Sequence, residues 1–260
     1  MNNYEKRSLI YVVFVLFSSV CSFILAQQNV KIGLKAGTSF PSLRSNSDNE
    51  ISTGYESKMA ENFGLVADIG ISGALSLKTG IDFAGQGGIR NGQQPVTDLP
   101  QQFAQMLPGG TYIYANFNNN SILNYMEIPV MGKLEWGDKF RYYVNAGPYL
   151  GFLMNAKQKT SGSSPFFLDK AGTMPLTMGG QPLPSQSFSA TTDVKEDLNS
   201  TNIGLTGGLG LSYDLNKKSA ILFDARAAYG LKSIQKDTEL NGNSKTGGIF
   251  LTLGYLFLLK

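Results

Sequence analysis

The chain has 260 residues, 22 Lys and Arg against 19 Asp and Glu, a formal net charge of +3, one cysteine and no histidine. So even a balance leaves no basic footprint for nucleic acid. The missing histidine excludes Ser-His and Asp-His mechanisms and histidine-ligated zinc, and a lone cysteine supports neither a disulfide framework nor a thiolate metal site.

Residues 1–26 open with Glu5, Lys6 and Arg7, run through an apolar stretch from Leu9 to Phe17 and on to Ile24 and Leu25, and reach Ala26 before Gln27-Gln28. That order predicts a cleaved secretory signal peptide, leaving residues 27–260 as a single domain. The cysteine, Cys21, falls inside this leader, and Val20 stands where a lipoprotein signal requires a small residue. No later run has the roughly 18 continuous apolar residues of a spanning helix, so any membrane passage must be made by strands.

Eight period-two segments follow, at about 30–40, 62–71, 74–84, 122–134, 140–154, 202–213, 219–231 and 247–259. Their connections alternate long and short. The short joins, Ser72-Gly73, Glu135 to Lys139 and Asp214 to Lys218, carry the Gly, Asn and Asp of hairpins. The long ones, about 41–61, 85–121, 155–201 and 232–246, hold most of the Pro, Asn, Ser and Gln. Transmembrane barrels place short turns in the periplasm and long loops outside. The pattern therefore predicts an all-β fold: an eight-stranded antiparallel up-and-down transmembrane β-barrel with long extracellular loops and both termini periplasmic.

Parity assigns the faces. In the fifth segment Phe140, Tyr142, Val144, Leu150 and Phe152 share one side, with Arg141, Tyr143, Asn145 and Tyr149 on the other. The first set suits lipid and the second a polar lumen. Across the eight segments the inward charges are Lys35, Lys78, Lys133, Arg141 and Arg226 against Asp68, Asp82, Glu127 and Asp224, with Lys31 and Glu135 nearer the ends. A buried charge is costly unless partnered, so these are expected to pair into a network that fills the lumen. A barrel of this strand number is about wide enough for its own side chains, which argues against a general porin. Gly207-Gly208-Leu209-Gly210 lies inside a strand pattern with no helix after it, so it does not read as a phosphate loop. Trp136, with Tyr213 and Tyr255, fits an interfacial aromatic belt.

The second long connection carries only Arg90 and Asp98 as charges, and Asp98 to Leu107 has the cap, early Pro and spacing of a short helix. Tyr112, Tyr114 and Phe117 then alternate ahead of Asn118-Asn119-Asn120, as in a strand extended above the membrane. Phe103, Tyr112, Tyr114, Phe117, Phe166 and Phe167 are the candidate loop contacts, aromatic surface that either meets a protein or glycan partner or packs over the barrel mouth. Asp193, Glu196 and Asp197, interleaved with Lys195, read as a solvated charge cluster rather than a catalytic carboxylate pair. No spacing for a calcium loop is present. No catalytic residue, metal site or cofactor is expected, and the partners expected are outer-membrane lipid and a protein or glycan at the loops.

Lys31-Ile32-Gly33-Leu34-Lys35-Ala36-Gly37, Asn124-Tyr125-Met126-Glu127-Ile128-Pro129-Val130 and Asn145-Ala146-Gly147-Pro148-Tyr149-Leu150-Gly151 resemble the PorT-like family of small outer-membrane β-barrel proteins. Gly208-Leu209-Gly210, Asp224-Ala225-Arg226 and Leu253-Gly254-Tyr255-Leu256-Phe257 add to the likeness. The resemblance implies an outer-membrane barrel of Gram-negative bacteria and supplies no catalytic residues. Two features depart from it: Phe257 is followed by Leu258-Leu259-Lys260 instead of ending the chain, and the second and third long connections exceed what a small member needs. The function expected is a non-catalytic surface recognition or accessory component; the alternatives are a narrow channel or transporter for small solutes and, by family analogy, a secretion-system accessory barrel.

Overall fold

The computed structural model describes residues 29–45, 49–97 and 112–259. Its eight long strands are β1 (Val30–Ser45), β2 (Ala60–Ser72), β3 (Leu75–Arg90), β4 (Asn118–Gly137), β5 (Phe140–Ser164), β6 (Thr201–Asn216), β7 (Ser219–Gly230) and β8 (Ser244–Leu258). Each pairs antiparallel with its neighbours in sequence, and β8 pairs with β1, Lys31 opposite Leu258, so the sheet closes into one ring of eight. The leader, the segment proposed as a loop helix and Phe103 lie outside the described residues.

The three short joins are each two residues between strand ends: Gly73-Ala74, Asp138-Lys139 and Lys217-Lys218. Gly73 in the first has φ 49°, and Gly137, at the edge of the second, has φ 105°; a Cβ on Gly137 would meet the Phe140 carbonyl oxygen at 2.2 Å.

Outward positions are apolar and exposed along every wall: Leu34, Leu65, Ile81, Val130, Leu150, Leu209, Phe223 and Leu253 among them. Near the short turns the outward side carries aromatic residues. Trp136, Phe140 and Tyr142 are about half exposed, Phe140 and Tyr213 rings sit 4.6 Å apart, and Lys139 Nζ lies 5.2 Å from the Tyr213 ring. This is the composition of a lipid-facing wall with an interfacial girdle.

At the other end several strands run past their apolar stretches. β5 has 25 residues and β4 has 20, and Gln186–Asp193 adds a ninth strand against the far half of β5, Asp193 opposite Lys157. Residues 41–45, 85–90, 118–121, 155–164 and 244–246, expected in the long connections, are strand. The alternation before Asn118 is not an extension of β4. Tyr114–Asn116 instead forms a small hairpin with Gln93–Pro95 and exchanges backbone bonds of 2.8 Å with Phe167. These additions fold over the mouth around their own apolar core of Val96, Ile113, Ala115, Phe117 and Phe166, with Phe117 stacked on Phe188 at 4.5 Å. A second cluster, Leu43, Leu123, Tyr125, Leu153, Ala156, Leu198 and Ile234, joins this layer to the barrel.

Candidate functional site

From the short turns inward, the lumen side chains form successive tiers. Closest to the turns, Lys133 Nζ lies 2.6 Å from both Asp68 Oδ2 and Glu135 Oε2, while Arg141 Nη1 donates to Glu135 Oε1 at 2.8 Å and its Nη2 to Asp214. Deeper, Lys78 pairs with Asp224, whose Oδ2 also accepts from Tyr143 Oη at 2.7 Å. The Tyr143 ring sits between two ammonium groups, Lys78 Nζ at 4.5 Å and Lys133 Nζ at 4.6 Å from its centroid. In the next tier Asp82 Oδ2 takes both Lys35 Nζ at 2.8 Å and Arg226 Nη1 at 3.2 Å, and Arg226 covers the Phe250 ring. Glu127 accepts from Gln86 Nε2 at 3.0 Å. Above it, Asn202 Nδ2 donates to Thr246 Oγ1 at 2.7 Å beside Tyr149 and Tyr125.

The tiers fit because the wall is thinned where rings must lie. In the β5–β6 pair Tyr149 stands opposite Gly204 and Tyr143 opposite Gly210. A Cβ on Gly210 would fall 2.2 Å from the Tyr143 ring, and one on Gly204 would fall 2.3 Å from Tyr149. Each glycine is the floor on which its tyrosine lies across the lumen.

Of the residues singled out from sequence, Lys35, Asp68, Lys78, Asp82, Glu127, Lys133, Asp224 and Arg226 are all 6% exposed or less, and Arg141 is on the same inner face nearer the turn end. Asp214 and Gln86 were missed. Asp214 looked like turn chemistry and Gln86 fell in an expected loop, yet both are on strands and both complete the network. Inward parity was their only available signal.

The aromatic contacts divide. Tyr114, Phe117 and Phe166 are buried in the layer over the mouth, where the apolar rings turn inward. Tyr114 Oη also donates to Glu50 Oε2 at 2.8 Å. Phe167 is half-buried and Tyr112 exposed.

Two hollows flank the tiers. A cleft of about 540 Å³ at the short-turn end reaches Lys31, Asp68, Lys133, Arg141 and Asp214. A chamber of about 510 Å³ lies beneath the mouth layer, bounded by Tyr55, Arg90, Asn119, Leu123 and Phe188 among others. Among the described residues no group of three or more His, Cys, Asp or Glu is placed to hold a metal ion.

The fold is similar to solved outer-membrane barrels. Neisserial surface protein A shares 12% identity at a TM-score of 0.39, with 88% of this chain and 96% of that one covered. The attachment invasion locus protein Ail of Yersinia pestis shares 14% at 0.37, covering 87% and 98%. The outer membrane protease OmpT of Escherichia coli shares 11% at 0.44, covering 90% and 98%. No curated protein sequence matches the chain. Residues 25–236, through β7 and most of the chain, match the model of the outer membrane protein beta-barrel domain, and the chain belongs to that family.

Proposed function

We propose that this outer-membrane barrel is non-catalytic, is filled by its own side chains, and works through its long-connection end as a surface recognition or accessory component. In this reading that end faces outward and both termini lie in the periplasm. One observation carries it: ion pairs succeed one another across the lumen from Asp214-Arg141 to Lys35-Asp82-Arg226. A solute crossing this stack must part buried pairs, at several kcal/mol for each charge left alone. Support against catalysis comes from the absence of histidine and from the solvent exposure of Asp193, Glu196 and Asp197.

The finer placement among PorT-like barrels rests on the motifs in β1, β4 and β5, and a secretion-system role rests on that analogy alone. A narrow channel is the second reading, favoured by the turn-end cleft that reaches Lys133 and Asp68.

Planar-bilayer conductance of the refolded mature protein separates the two. A silent barrel is expected; discrete, reproducible channels altered by shortening the second long connection would overturn the filled-lumen reading. Orientation is tested by single cysteines. Leu240→Cys should label on intact cells and Lys217→Cys should not, and the reverse pattern would invert the topology.

A further inference from the structure

We infer that the chamber under the mouth layer binds an acidic saccharide unit, with Arg90 taking its carboxylate. The inference rests on the recognition role proposed above and names the ligand class. Arg90 closes β3 and is 7% exposed, yet no carboxylate of the described residues lies within 4 Å of it. Among the described residues its side chain makes one hydrogen bond, from Nη1 to the Glu50 carbonyl oxygen at 2.7 Å. The Glu50 carboxylate is engaged elsewhere, accepting from Tyr114 and lying 3.7 Å from Lys170 Nζ. Gly54, at φ 78°, packs against the guanidinium, where a Cβ would stand 3.3 Å from Arg90 Nε. Charged side chains are almost never this buried without a partner. A guanidinium with four N–H donors unused, bordering a chamber, has the fork geometry for a bidentate oxyanion.

The rest of the lining selects the body of the ligand. The chamber, about 510 Å³, is within the roughly 300–1,000 Å³ of small-molecule sites. Asn119, also nearly fully buried, gives its Nδ2 to Tyr55 Oη at 3.4 Å and leaves its Oδ1 without a partner. Gln158 and Gln186 add amides, and Tyr55 and Phe188 add ring surface. Paired donor and acceptor groups suit adjacent sugar hydroxyls, and aromatic rings suit the C–H face of a pyranose. A fatty acyl chain needs continuous apolar walls, which these amides interrupt.

The test is titration calorimetry on the whole mature barrel in detergent with three probes: a glucuronic-acid-containing disaccharide, neutral cellobiose and octanoate. The acidic disaccharide is expected to bind at least tenfold tighter than cellobiose, and Arg90→Gln to abolish that difference. Asn119→Ala should weaken both disaccharides. Far-ultraviolet circular dichroism checks that each variant is folded. If Arg90→Gln does not fold, Arg90→Lys, which keeps the charge and loses the fork, should weaken the acidic disaccharide at least fivefold. No binding, equal binding of the two disaccharides, unchanged binding in a folded Arg90 variant, or preference for octanoate would each overturn the inference. Conductance judges the parent reading separately: a silent barrel that binds none of the probes sinks only the saccharide site, while an open channel sinks the recognition role whatever binds.

Discussion

The barrel and the layer above its mouth have cores of opposite character, built by one chain. Inside the ring Lys35, Lys78, Asp82, Asp224 and Arg226 are buried beside tyrosines and a few aliphatic side chains such as Val66, Leu222 and Leu256, while most aliphatic side chains face out. Around the mouth the buried cluster is apolar: Val96, Ile113, Ala115, Phe117 and Phe166. The difference shows that the surroundings decide which side of a sheet is apolar. Against hydrocarbon the wall must be apolar outside, and polar groups are left to satisfy one another within. A short distance along the same strands water returns, and the hydrophobic effect restores the usual arrangement.

The contrast predicts where each core is fragile. Asp82→Ala leaves both Lys35 and Arg226 without a carboxylate, so it should cost about 3 to 5 kcal/mol, the range for stripping one partner from a buried ion pair. Urea unfolding in phospholipid vesicles measures this, and a loss below about 1 kcal/mol would mean the ionic core does not hold the barrel. Leu251→Arg, on the lipid side of β8, should cost about 2 to 4 kcal/mol in the same assay and impair assembly. Near-normal stability there would show the two faces to be assigned in reverse. In the mouth layer, Ile113→Val removes one buried methyl and should cost only about 0.5 to 1.5 kcal/mol. Hydrogen exchange should quicken at Tyr114–Asn116 and stay unchanged between β1 and β8; a change in the barrel would make the two cores one cooperative unit.

The smallest effect concerns pH. Lys58, half-buried in the first long connection, donates to Asn120 Oδ1 at 2.8 Å and to the Ser121 carbonyl oxygen at 2.6 Å. Burial, and then the Lys159 ammonium, hold its pKa down from 10.5 to about 8. Between those values the folded chain binds fewer protons than the unfolded one, so stability should rise with pH across that window. Urea midpoints at pH 7.5 and 9.5 should diverge more in the native protein than in Lys58→Met, and equal divergence would remove Lys58 as the cause.

Strand number and the two faces were legible because hydrocarbon enforces strict alternation: Phe140, Tyr142 and Val144 against Arg141, Tyr143 and Asn145 can hardly be read otherwise. The strand ends were not. Past the membrane both faces of β5 meet water or other polar groups, and Lys157-Gln158-Lys159-Thr160-Ser161 carries no period-two apolar signal although it is strand. Parity also places charges in a common lumen without matching them. Lys78 and Asp224 are 146 residues apart, and their meeting depends on the stagger accumulated around the ring, which no single hairpin fixes. Arg90 was visible only as a rare charge in a polar loop, since Glu50, whose carboxylate goes to Tyr114 and Lys170, comes from a different connection.

That separation in sequence bears on how the barrel is made. Lys78 with Asp224, Lys133 with Asp68 and Lys35 with Asp82 each join strands that are not neighbours in the sheet, and β1 meets β8 only when the chain ends come together. An open, half-built sheet would hold these charges unmatched beside lipid. Insertion should therefore be concerted, with a barrier dominated by long-range closure, and slow for a chain of this size. A partially inserted barrel has no low-energy form in which to wait, so any factor that assists this protein must hold the sheet until its last strand arrives.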